Sequence, residues 1–321
     1  MRISVVIPTY RRPDLLARCL RAVLAQRMIE PDAYEVVVVD DGHDDDTRSL
    51  VQAMAPAGGA PALRYVRPAH GRGPAVARNA GWRAARGTII AFTDDDTVPD
   101  ACWLGEGERE LASRVAVCGR VVVPPLNEPP TDHELMTRGL ESAEFVTANA
   151  FVWREALQRV GGFDERFKRA WREDSDLHFR LAELGEVARS SRSTVLHPVR
   201  PERWGVCLRQ QRNTFFDALL YKKHPRLYRE RIRRVPPWNY YLIVALVFAA
   251  PVLWWAEQGG VAVAAMALAG LLIAQFAWQR LRRTARTPAH VAEMLVTSAL
   301  IPFLSVYWRI RGALSFRVLF L

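Results

Sequence analysis

Three carboxylates stand side by side at Asp94-Asp95-Asp96, just after Gly87-Thr88-Ile89-Ile90-Ala91. That short apolar run, preceded by Gly, reads as a buried β-strand. The C-terminal end of such a strand is where open α/β sheets hold their ligands. Three adjacent negative charges repel one another, and a divalent cation relieves the repulsion. Hard oxygen ligands suit Mg2+ or Mn2+, and those ions suit a diphosphate. A solvated acidic turn is the competing reading of the triplet; the apolar strand before it and the other motifs weigh against that. A second acidic group, Glu173-Asp174-Ser175-Asp176, precedes Leu177, Leu181 and Leu184, which share one helical face. Carboxylates are favoured at such a helix start by its free N–H groups. Between the two groups, Gly71 to Gly81 begins as a loop and should turn helical from Pro74. Its small residues let backbones approach closely, and Arg78 is placed to face a phosphate.

The elements that must position these groups follow a regular rhythm. Ile3 to Ile7 is an apolar, β-rich run ending at Pro8. Asp14 can cap a helix whose apolar positions, Leu15 to Leu24, fall at helical spacing. Tyr34 to Val39 is a second strand ending at Asp40-Asp41-Gly42, and a helix spans about Thr47 to Met54. Leu63 to Val66 is a further short strand. Strand and helix in alternation predict βαβ units and a parallel sheet, an α/β class. Further strands are expected at 115–117, 119–123 and Phe145–Val152, with a Pro-rich loop from Pro124 to Asp132 and a last strand ending at His197.

Four of these stretches, taken in order, resemble glycosyltransferase family 2, whose fold is GT-A: Rossmann-like, with a mostly parallel central sheet. They are Val6-Ile7-Pro8-Thr9-Tyr10-Arg11-Arg12, Val38-Val39-Asp40-Asp41-Gly42 with Asp44 and Thr47, Gly73 to Asn79, and Asp94-Asp95-Asp96. The resemblance covers roughly residues 1–220; His43 departs from the Ser usual after that Gly. It implies roles. Pro8, Thr9, Tyr10 and Arg12 would line the nucleotide pocket, with Tyr10 near the base. Asp41 would accept from the base's imide N–H, which favours a UDP-type donor. Arg78 would lie near ribose and diphosphate. Asp94 and Asp96 would form the DxD pair, Asp96 on the metal and Asp94 on ribose or the metal shell, with Asp95 among the nucleotide-sugar-binding residues. Asp174 would be the general base, supported by Glu173 and Asp176, because inverting sugar transfer needs a carboxylate to take the acceptor hydroxyl's proton. His197 would stand near the metal or diphosphate. Gln210-Gln211-Arg212-Asn213 loosely resembles the Gln-x-x-Arg element of processive members, which would bring Arg212 to the diphosphate; the Trp that usually follows is missing. A catalytically silent scaffold with the same fold, and a nucleotidyltransferase, are the alternatives. The retained Asp94, Asp96 and Asp174 argue against the first. Pro8-Thr9-Tyr10, in place of a Gly-rich basic loop, argues against the second.

The rest of the chain is of another kind. From Val235 onward there are two acids, Glu257 and Glu293, and seven arginines. Val235–Ala256 and Gln258–Gln279 carry no charge, and each is long enough to cross a bilayer core of about 30 Å. Trp254, Trp255 and Trp278 lie near their ends, as interfacial aromatics do. Arginines before the first and after the second predict both ends in the cytoplasm. Met294 to Trp308 is uncharged but short and interrupted by Pro302, and is expected to be interfacial or re-entrant. The net charge of +10 fits anionic lipid better than nucleic acid in this setting. Four scattered cysteines suit a reducing compartment, and the chain opens on a strand, so no leader is expected. The expected organisation is a GT-A domain over 1–225, a basic linker over 226–237, two transmembrane helices over 238–279 and an amphipathic tail over 280–321. That predicts a multi-pass protein of the cytoplasmic (inner) membrane, its catalytic domain cytoplasmic. Its partners would be a nucleotide-diphosphate sugar, a glycan or lipid-linked acceptor and membrane lipids.

Overall fold

The computed structural model describes residues 1–320. Its strands are β1 (Ile3–Thr9), β2 (Tyr34–Asp40), β3 (Ala62–Val66), β4 (Ile89–Thr93), β5 (Val98–Pro99), β6 (Ala116–Val122), β7 (Asn149–Trp153) and β8 (Val187–Leu196). Helices α1 (Pro13–Leu24), α2 (Asp45–Ala53), α3 (Pro74–Ala84), α4 (Trp103–Leu111), α5 (Asp132–Ser142), α6 (Arg154–Val160) and α7 (Glu173–Ala182) alternate with them. After β8 come α8 (Val206–Gln210), α9 (Thr214–Lys223), α10 (Pro225–Leu227), α11 (Trp238–Trp255), α12 (Gly259–Leu281) and α13 (Pro288–Phe316). The chain forms two compact units. One comprises Met1–Pro124 and Arg138–Val199; the other comprises Pro125–Thr137 and the chain from Arg200 onward. Where the sequence set a boundary near residue 225, the structure groups 200–225 with the apolar helices.

The first unit is built on one eight-stranded sheet, ordered β3-β2-β1-β4-β7-β6-β8-β5. β1 lies between β2 and β4, parallel to both, with Val5 opposite Val36 and Ala91. β7 runs antiparallel between β4 and β6, and β8 is parallel to β6. Parallel strands buried on both faces read as unbroken apolar runs. Here Val36–Val39 and Ile90–Phe92 are fully buried. The register has a functional consequence. Thr9 pairs with Asp40, so the loops after β1, β2 and β4 leave from one edge of the sheet. The β6–β8 ladder ends at that edge too, where the His197 N–H donates to the Val122 carbonyl at 2.8 Å.

Two local expectations need correction. Phe145–Val152 does not pair throughout: the ladder starts at Asn149, and Phe145, Val146 and Ala148 are buried in the preceding turn. Burial rather than strand pairing explains those apolar residues. β8 is longer than expected, because its first half is a Ser- and Arg-rich edge segment with no apolar alternation.

In the second unit, α11, α12 and α13 are each long and apolar enough to cross a membrane, by length and composition. Glu257, in the left-handed region at φ 62°, closes the turn between α11 and α12. The interruption expected at Pro302 does not occur. α13 runs as one helix of 29 residues through it. Pro302 is buried within α13, and tertiary packing offsets the backbone hydrogen bond a proline cannot make. Arg280 ties this unit together. Its guanidinium reaches Asp132 (2.8 Å), Thr297 (2.8 Å), Ser298 (3.0 Å) and the Cys207 sulfur (3.4 Å).

Candidate active site

The loop after β2 is shaped by Asp40. Its carboxylate accepts from the Gly42 N–H (2.9 Å), the Asp44 N–H (2.6 Å) and the Tyr65 hydroxyl (2.6 Å). This nest leaves the next residue, Asp41, to face inward. Asp41 Oδ2 accepts from the Gly73 N–H at 2.9 Å, while its Oδ1 is buried with no hydrogen-bond partner among the described residues. Gly73 has φ +113°, and a Cβ there would sit 3.0 Å from the Lys168 carbonyl oxygen, so only glycine fits.

The acidic triplet is held by basic groups from two directions. Arg12, from the loop after β1, lies 2.9 Å from Asp95 Oδ1 and 3.6 Å from Asp96 Oδ2. Thr9 donates its hydroxyl to Asp95 Oδ2 at 2.7 Å. Asp95 is therefore a latch between the β1 loop and the triplet. Burial pushes its pKa up to about 7, with Arg12 opposing. From the other direction comes Arg78 on α3, 4% exposed. It reaches Asp94 Oδ1 at 2.8 Å and Glu173 Oε1 at 3.0 Å. Burial alone would raise Asp94, but Arg78 beside it holds its carboxyl below the ordinary value.

Asp94, Asp96 and His197 each offer a ligand atom, and the three atoms lie within 4.8 Å of one another. His197 Nε2 is 3.6 Å from Asp96 Oδ1, and its Nδ1 is buried with no hydrogen-bond partner among the described residues. Two carboxylates and an imidazole converging on one point form a donor set that fits Mg2+ or Mn2+.

Glu173 and Asp174 open α7 after Arg172, which adopts a left-handed φ of 74°. Burial raises the Asp174 pKa, and burial together with the neighbouring Asp174 charge raises Glu173. The pair thus binds a proton more tightly than two solvated carboxylates. Asp176 is different: it is fully buried and gripped by Arg180 at 2.6 and 3.0 Å. Arg180 also donates to the Val160 and Gly162 carbonyls, so Asp176 anchors α7 to the preceding turn.

Thr9, Arg12, Arg78, Asp94, Asp95, Asp96, Glu173 and His197 are joined by these contacts, and Asp41 is joined to the Gly73 loop that opens α3. Tyr10 is 47% exposed with the Arg11 guanidinium over its ring, and Pro8 is half-buried beside it. Arg212 belongs to the second unit, where it stacks on Trp308 at 5.8 Å. The sequence did not foretell the Arg78–Glu173 pair, the Asp95 latch or the role of Tyr65 behind Asp40. The Asp-Asp-Gly turn was the only local signal for the last.

A family model described as glycosyl transferase family 2 matches residues 4–168. A second, glycosyl transferase family group 2, matches residues 89–308. The chain is 34% identical over 105 residues to the glycosyltransferase AglE of Haloferax volcanii, covering 33% of this chain and 34% of that one. It is 29% identical over 246 residues to the validoxylamine A glucosyltransferase of Streptomyces hygroscopicus subsp. limoneus, covering 64% and 51%. The chain thus spans about half or less of the length of these relatives. Among solved structures, the mannosyltransferase PcManGT from Pyrobaculum calidifontis, in complex with GDP-Man and Mn2+, superposes with a TM-score of 0.61. The match is 24% identical and covers 96% of this chain and 87% of that one, a likeness of fold.

Proposed function

The chain belongs to glycosyltransferase family 2, and on that premise we propose that it transfers a sugar from a nucleotide-diphosphate donor with inversion at the anomeric carbon. The acceptor is a lipid-linked or cell-envelope glycan at the cytoplasmic face of a membrane, and the reaction depends on a divalent cation. One observation carries the reading. Arg78, buried between Asp94 and Glu173, fixes the acidic triplet against the helix start that bears Asp174.

In this reading Asp41 receives the nucleobase. A buried acceptor left unmet costs about 1–3 kcal/mol, which an N–H from the base relieves. One open oxygen matches the single imide N–H of uracil and favours a UDP-type donor. Thr9, held by Asp95, fixes the loop in which Pro8 and Tyr10 border the nucleotide. Asp94, Asp96 and His197 would hold Mg2+ or Mn2+, and the bound cation neutralises charge on the departing diphosphate. Arg78 acts as a positioning residue, since both its terminal nitrogens are engaged by carboxylates. Asp174 takes the proton from the acceptor hydroxyl as that oxygen attacks. Release of nucleoside diphosphate from a panel of UDP-, GDP- and dTDP-sugars, with membrane lipid extract as acceptor source, tests the proposal. Turnover of a UDP-sugar that stops on chelation is expected. Turnover unaffected by chelation would contradict it.

The helices α11 and α12 supply the membrane anchor. Arg233 and Arg234 precede the first, and Arg282, Arg283 and Arg286 follow the second. The positive-inside rule then places both of those ends in the cytoplasm. A reporter inserted at Gln258 should read as external and one placed after Arg286 as cytoplasmic. An external signal after Arg286 would mean that the spans are miscounted.

A further inference from the structure

We propose that α13 does not cross the membrane but lies along its cytoplasmic surface, docked into the headgroup region of a phospholipid leaflet. The proposal rests on the membrane reading of α11 and α12.

α13 is tied at two points, about a third of the way along it and at its far end, to the same side of the α11–α12 hairpin. About a third of the way along it, Thr297 and Ser298 accept from Arg280, in the last turn of α12, at 2.8 and 3.0 Å. At its far end the Phe316 carbonyl accepts from Lys222 Nζ at 2.7 Å, and Arg309 lies 3.9 Å from Asp217. Gly312 comes so close to α9 that a Cβ would sit 2.5 Å from the Phe215 carbonyl oxygen. The last turns of α13 are therefore bonded to α9. α9 leads through 224–237 directly into the start of α11, and α11 starts on the side where α12 ends.

Were α13 to span, the distance from Ser298 to Phe316, about 27 Å of helix, would carry α9 to the opposite surface. The chain from α9 to α11 would then have to recross the hydrocarbon. Lys222 to Arg234 holds seven basic residues and only short helical turns. Such a segment cannot cross, because lipid-exposed backbone must be a helix of about 20 apolar residues or part of a closed barrel.

The faces of α13 agree. Val296, Leu300, Phe303, Tyr307, Ile310 and Leu314 recur at intervals of four and three, forming one stripe. Leu314 is 74% exposed, while Ser298, Ser305, Arg309 and Gly312 on the other side are buried. Phe303 meets Phe248 of α11 at 6.4 Å between ring centroids, so at that point the stripe packs on the hairpin. Above it, Trp308 is flanked by the guanidinium groups of Arg212 (5.8 Å) and Arg311 (5.0 Å). An aromatic at that level suits the membrane interface, and arginines suit lipid phosphates. Arg311 and Arg317 are exposed, which favours an anionic leaflet.

A reporter fused to the end of the full chain tests the proposal, with Gln258 and Arg286 reporters beside it. The expected result is a C-terminal signal on the Arg286 side. A signal on the Gln258 side means a third crossing and overturns it. Should Gln258 and Arg286 report the same side, the hairpin fails, and the proposal with it. A spin label on Leu314→Cys, read in phosphatidylcholine–phosphatidylglycerol vesicles against the unsubstituted chain, gives a second readout. Oxygen accessibility just below the headgroups is expected. A position at the bilayer centre or in bulk water overturns the proposal.

Discussion

Asp174→Asn should lower turnover by about 10²–10⁴-fold while leaving donor affinity near that of the wild type. The amide keeps the size of the carboxylate but cannot take a proton at neutral pH. In the proposed reading, donor and metal binding rest on Asp41, Asp94 and Asp96, which belong to other loops of the same sheet edge. The pH profile of the wild type should carry a matching signature. Burial raises the Asp174 pKa, and only the ionised form acts as base. Turnover should therefore fall on the acid side at a pH above the ordinary Asp value of about 3.9. Asp176→Asn should act through stability instead, because its carboxylate is committed to Arg180. Near wild-type transfer by Asp174→Asn would show that the base lies elsewhere.

Asp96→Asn should weaken binding of a nucleoside diphosphate in Mn2+ by at least about 10-fold, since losing even a group that only supports a metal ligand costs roughly 10–100-fold. The carboxylate faces His197 on one side and Arg12 on the other, so its loss removes one of the two charges in the three-residue donor set. In chelator the variant and the wild type should bind alike. Titration calorimetry with and without Mn2+ reads both, and equal affinity at saturating Mn2+ would contradict the metal assignment.

The sheet edge was legible in the sequence because β1, β2 and β4 are buried on both faces. Their apolar runs end abruptly at Thr9, Asp40 and Thr93, and chemistry follows each ending. β8 was not legible beyond its last residues, since an edge segment of Ser and Arg obeys no burial pattern. The link from Arg78 to Glu173 joins residues 95 positions apart and leaves no local trace. The sequence grouped Asp95 with the nucleotide-sugar-binding residues; its contacts with Thr9 and Arg12, which tie the β1 loop to the triplet, left no local signal. Pro302 misled for a physical reason. A proline breaks an isolated helix, but tertiary contacts carry α13 through it.

The anomeric form of the sugar first released when water takes the acceptor's place tests the central claim most directly. NMR, recorded before mutarotation, reads it from a donor that the enzyme turns over. Single displacement assisted by Asp174 predicts the configuration opposite to that of the donor. A first-released sugar with the donor's own configuration would contradict the account.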